Sequence, residues 1–160
     1  MTIAKDDSFS IKYGKEIKDN IEYRLNGNSL FVKSLGNNYY NRVTIYCPSF
    51  NSVEADSSAV SVDSMSLGNC RIAVGASSSL SFGAQADTLN LNLKDRSDLS
   101  LTSTAKVNVL RLTMGNHATF NQTEGIIQNR GEMLLDDSAT LSIDGRTMQK
   151  FINPQQTAQP

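Results

Sequence analysis

Two apolar residues flanking a third recur along this chain at an interval of 19, in Val53–Glu54–Ala55, Ile72–Ala73–Val74, Leu91–Asn92–Leu93 and Leu110–Arg111–Leu112. Each copy runs into a small or polar corner: Asp56–Ser57–Ser58, Gly75–Ala76–Ser77, Lys94–Asp95–Arg96 and Thr113–Met114–Gly115. A second apolar pair follows each corner, in Val60/Val62, Leu80/Phe82, Leu99/Leu101 and Ala118/Phe120. A fixed period of this length is how a solenoid announces itself, because each unit can bury its apolar face only against the next. Met65/Leu67, Ala86/Leu89 and Ala105/Val107 supply a third apolar segment per unit. The expected fold is therefore all-β, a right-handed parallel β-helix of about 19 residues and three short strands per coil.

In such a stack, inward side chains of successive coils form ladders at roughly 4.8 Å. Ala55, Val74, Leu93 and Leu112 are expected in one ladder, and Val62, Phe82, Leu101 and Phe120 in another. The interval from Val62 to Phe82 is 20. One extra corner residue is therefore expected among Ser77, Ser78 and Ser79. Hairpins rarely conserve such an interval, so a meander sandwich is the weaker all-β alternative.

Residues 1–50 have another character. They hold all five tyrosines and three of the six phenylalanines. Alternation in Phe9/Ile11/Tyr13, Ile21/Tyr23/Leu25, Leu30/Val32 and Val43/Ile45 predicts strands, with turns at Asn26–Gly27–Asn28 and Gly36–Asn37–Asn38. Lys15–Asp19 suits a helical turn, and Pro48 marks a strand end. Open solenoid ends are adhesive strand edges, so covers are expected from this aromatic segment and from Met148, Phe151 and Ile152. The resulting division is a single domain over 1–152, with N-terminal strands and cover (1–50), regular coils (53–120), last coils and cap (121–152), and a disordered tail at 153–160. Gly131 and Asp136–Asp137 are expected in turns.

Little here suggests reaction chemistry. His117 is the sole histidine and sits in the corner Gly115–Asn116–His117, so it reads as a solvent-facing turn residue. No Gly-x-Ser-x-Gly, phosphate loop or Cys-x-x-Cys occurs. Asp95, Asp98, Asp136 and Asp137 read as surface turn carboxylates, because short corners wall off no cleft. Cys47 and Cys70 lie 23 residues apart, not one period, and read as two separate buried thiols. No catalytic residue, metal or cofactor is expected. A formal net charge of −1 leaves no basic stripe for phosphates, so nucleic acid is not an expected partner.

Adjacent tyrosines on a strand point to opposite faces, so one of Tyr39 and Tyr40 must face outward. With Asn41 and Arg42 beside them, these four residues are the candidate contact for a glycan or a protein partner. No apolar run is long enough to span a bilayer. The first residues lack the apolar core of a signal peptide, which leaves a cytoplasmic protein or an exported one whose signal has been removed.

The run Val43–Thr44–Ile45–Tyr46–Cys47–Pro48–Ser49–Phe50, continuing through Asn51 to Val60, resembles the bacterial auto-transporter adhesin head GIN domain family. Gly75–Leu80 and Asp136–Leu141 look like further copies of that family's small-small-x-apolar motif, and 17–33 is similar to its opening strands. The resemblance implies a right-handed β-helix exported to the cell envelope, with an adhesive or scaffolding role and no catalytic residues to carry over. The charged corner at 94–98 departs from the family's usual Gly-Ala-Ser. A cytoplasmic β-helical scaffold that self-associates through its coil ends is the alternative, and a small polysaccharide-processing enzyme a distant third.

Overall fold

The computed structural model describes residues 1–35, 43–122 and 124–152, without the side chains of Glu16, Ile17 and Ile152. The expected turn at Gly36–Asn38 and the expected tail at 153–160 lie outside the described residues. The chain is a β-solenoid of about four turns with parallel stacked coils. Its strands are β1 (Thr2–Lys5), β2 (Ser10–Tyr13), β3 (Ile21–Asn26), β4 (Ser29–Ser34), β5 (Val43–Cys47), β6 (Ser52–Ala55), β7 (Ala59–Val74), β8 (Ser79–Leu93), β9 (Asp98–Leu101), β10 (Lys106–Met114), β11 (Thr119–Gln122), β12 (Ile126–Leu135) and β13 (Thr140–Ile143), followed by helix α1 (Gly145–Ile152).

The alternation of the sequence becomes the wall of the stack. Along β7 the side chains of Val60, Val62, Met65, Leu67, Cys70, Ile72 and Val74 point inward, and polar or small residues stand between most of them. Phe82, Phe120, Leu89 and Leu93 are wholly buried, each contributing roughly 1.5–3 kcal/mol through the area it removes from water. β7 and β8 pass round all three faces as single long strands, so each of these two coils has one sharp corner and two bends within its strand.

The sharp corner repeats in detail. Gly75–Ser78, Lys94–Ser97 and Gly115–Ala118 each close with the fourth residue's N–H donating to the first residue's carbonyl, at 3.3, 3.2 and 3.2 Å. The third residue of each is left-handed: Ser77 at φ 56°, Arg96 at φ 56° and His117 at φ 55°. The corner Asp56–Ser58 has three residues, against four in Gly75–Ser78, which accounts for the 20-residue step from Val62 to Phe82.

Two ladders differ from expectation. The spacing is 19 from Val53 to Ile72 and from Ile72 to Leu91, but 21 from Leu91 to Leu112 and from Leu112 to Met133. Leu112 therefore stacks on Leu91, and Met114 takes the place expected for Leu112 beside Leu93. Phe120 stacks on Leu99, and the position continuing Val62, Phe82 and Leu101 falls to Gln122. The cause lies at the second bend. Phe82 and Gln85 flank two residues, whereas Leu101 and Lys106, their partners in register, flank the four-residue turn Thr102–Ala105. A slip of two leaves every side chain on its original face, so the apolar pattern survives it.

Both ends are covered. β1 inserts between β7 and β5, parallel to each, with Ile3 opposite both Val62 and Ile45, and antiparallel β2 closes that edge of the sheet. The helical turn expected at Lys15–Asp19 forms as a 3₁₀ helix over Lys15–Asn20, and β3 and β4 form a hairpin across the expected turn at Asn26–Asn28. Ile21, Leu30 and Val32 of that hairpin pack with Val43, Ile45 and Ile11. At the other end α1 lies on β12, and Phe151 packs against the main core, as expected of a cover. Gly131 is not in a turn: it is inside β12, where the Phe151 ring occupies the space a Cβ would need. Asp136–Ala139 is a corner, as expected.

Candidate recognition surfaces

The chemistry-bearing residues singled out from sequence do not converge. His117 is exposed at its left-handed corner, and its N–H donates to Ser138 Oγ at 3.0 Å. Asp95 Oδ1 accepts the Asn116 N–H at 3.1 Å and Asp136 Oδ1 accepts the Ser138 N–H at 3.3 Å, so these carboxylates organise corners. Asp98 and Asp137 are exposed. Cys47 and Cys70 are both buried and unbonded. Burial raises both thiols, that of Cys70 to about 11, which leaves little thiolate at neutral pH. Among the described residues no three His, Cys, Asp or Glu side chains gather as metal ligands.

Tyr39, Tyr40, Asn41 and Arg42 lie outside the described residues. Other members of the aromatic N-terminal segment do form a concave surface. β2 and β3 flank a cavity of about 540 Å³ lined by Phe9, Ile11, Lys12, Tyr13 and Tyr23. Phe9 and Tyr23 remain 49% and 53% exposed at its margin. The rings of Tyr13 and Tyr23 sit 6.4 Å apart, tilted by 50°. Lys12 extends over the Tyr46 ring, its Nζ 4.6 Å from the centroid, which positions a cation beside this aromatic cleft.

A second concavity lies on the narrow second face of the solenoid. There each coil contributes three residues in register: Ser66–Leu67–Gly68, Gln85–Ala86–Asp87 and Lys106–Val107–Asn108. The central residue of each points into the core and is buried. The outer two stand up as parallel columns, leaving a trough of about 490 Å³ between them that reaches Gln128 on the next coil. Sequence reasoning missed this trough. Its signal is the break in alternation at Gly68–Asn69, Asp87–Thr88 and Asn108–Val109, where two successive residues face away from the core.

No protein family, curated protein or solved structure matches the chain. No helix is long and apolar enough to cross a membrane.

Proposed function

We propose that this protein is a non-enzymatic surface module of the bacterial cell envelope, an adhesin or scaffold that presents a rigid solenoid to glycan or protein. The observation that carries this reading is the aromatic cleft of β2 and β3. Two half-exposed rings, Phe9 and Tyr23, and one lysine, Lys12, line a cavity large enough for a sugar ring or a partner side chain. Exposed aromatics with a polar neighbour are what recognition surfaces use, because the ring supplies contact area at small entropic cost. The resemblance of 43–60 to adhesin head domains points the same way. End-to-end assembly has less support, since strands close one end of the stack and α1 lies over the other.

Two measurements test the reading. Fractionation of cells that produce the protein naturally is expected to recover it with the envelope, and recovery only in cytosol would overturn that assignment. On an array of bacterial and host glycans and surface proteins, the combined Phe9→Ala and Tyr23→Ala variant is expected to bind at least tenfold more weakly than the unaltered chain. Unchanged binding would remove the cleft from the reading.

A further inference from the structure

We propose that the trough on the second face is a binding site for a neutral oligosaccharide lying along the solenoid axis. It rests on the reading of the protein as a binding module, at residues separate from the aromatic cleft. The lining chemistry selects the ligand class. Gln85, Asn108 and Gln128 contribute amides, each able to donate and accept at neighbouring points, as paired sugar hydroxyls require. The charged members are one carboxylate, Asp87, and one ammonium, Lys106, so the lining carries no net charge.

Four of these five side chains are uncommitted. Asn108 Oδ1 accepts from Asn129 Nδ2, but among the described residues no hydrogen bond or ion pair engages the side chains of Gln85, Asp87, Lys106 or Gln128. Register repeats the lining once per coil, at the roughly 4.8 Å of adjacent strands, close to the advance of one ring in an extended polysaccharide. A peptide adding as a strand would need an open sheet edge, whereas β8 and β10, which form the middle of the trough, are each paired on both sides there. The trough stays open at its first coil because Gly68 puts no side chain there, and a Cβ built on it meets nothing within 4 Å.

That open space supplies a test that leaves the fold alone. Hexasaccharides of β-1,4-glucan, β-1,3-glucan, chitin and mannan serve as probes in NMR titrations of the intact chain. At least one is expected to shift the side-chain amide signals of Gln85, Asn108 and Gln128, with an affinity indifferent to salt. Gly68→Trp, which lays an indole into the trough, is expected to weaken that binding at least tenfold, and Gln85→Ala with Asn108→Ala to do likewise. Thermal melting checks that each variant is folded. Tyr23→Ala is expected to leave the binding unchanged.

The site is refuted if no neutral probe moves those amides, or if binding survives both trough variants. Preference for uronate oligosaccharides with binding that fades as salt rises would overturn the neutral ligand class. Binding lost in Tyr23→Ala but retained in Gly68→Trp would overturn the trough while supporting the cleft, so failure here is distinguishable from failure of the wider reading.

Discussion

Gln122 occupies a ladder position that three coils fill with Val62, Phe82 and Leu101, and it is 1% exposed. Its amide is tolerated because Nε2 donates to the Gly125 carbonyl at 3.0 Å and to Asp144 Oδ2 at 3.1 Å, although Oε1 has no partner among the described residues. Asp144 in turn caps α1, with Oδ1 accepting the N–H groups of Arg146 at 2.8 Å and Thr147 at 2.9 Å. The Thr147 N–H foremost holds the Asp144 carboxyl below its ordinary value; burial opposes it, and hydrogen bonds from the Gln122 amide, the Thr147 hydroxyl and the Arg146 N–H add to the lowering. A depressed carboxyl stabilises the fold above its unfolded pKa, and that contribution disappears as pH falls through the folded value. Acid is therefore expected to release α1. Amide protection over 145–151, measured against the intrinsic exchange rate at each pH, should fall as pH drops below the ordinary carboxylate range, while Asp144→Asn, which keeps a capping oxygen, should show a flatter pH profile. Equal acid response in both proteins would assign the effect elsewhere.

At the scale of elements, α1 is held to β12 through a close approach at one glycine. A Cβ on Gly131 would fall 2.2 Å from the Phe151 ring. Gly131→Val is expected to displace that ring and undock the helix, exposing residues 145–151 to exchange while the β7–β8–β10 stack keeps its protection. Loss of protection throughout the chain would instead make α1 part of a single cooperative unit with the coils. The helix itself was not expected from sequence. Of the expected apolar cover Met148, Phe151 and Ile152, Phe151 packs on the core, Met148 is exposed and the side chain of Ile152 lies outside the described residues; eight residues opening on a glycine carry little intrinsic helical preference. Docking on β12 and the Asp144 cap supply what propensity does not.

Across the whole molecule, the covers govern association. Among the described residues β12 pairs only with β10, and β13 only with β11, so each has an outer edge with hydrogen-bonding groups to spare. Leu134 and Ile126 are 70% and 53% exposed on that last coil. With α1 in place the chain is expected to scatter light as a monomer. Truncation after Asp144 should yield concentration-dependent association, because it bares the end of the core beside those edges. A truncated chain that stays monomeric at high concentration would show that the edges are protected by something other than the helix.

The recurring apolar pairs by themselves determined the architecture, since units of this length can bury their inward faces only by stacking. They also determined most of the inward-facing residues and the single extra corner residue near Ser77, while alternation within residues 1–50 marked the N-terminal strands of the cover. Alternation could not register the coils past Leu101, because a two-residue insertion at Thr102–Ala105 returns each side chain to the face it left. Nor could it reveal that β1 slips between β5 and β7, a pairing between segments distant in sequence with no local mark. Both concave surfaces belong to the same class: Phe9 meets Tyr23, and Gln85 meets Lys106 and Asn108, only once strands from different parts of the chain lie side by side. Inward residues are set by the short-range period of the chain, whereas outward ones acquire their neighbours from register, which the tertiary structure alone decides.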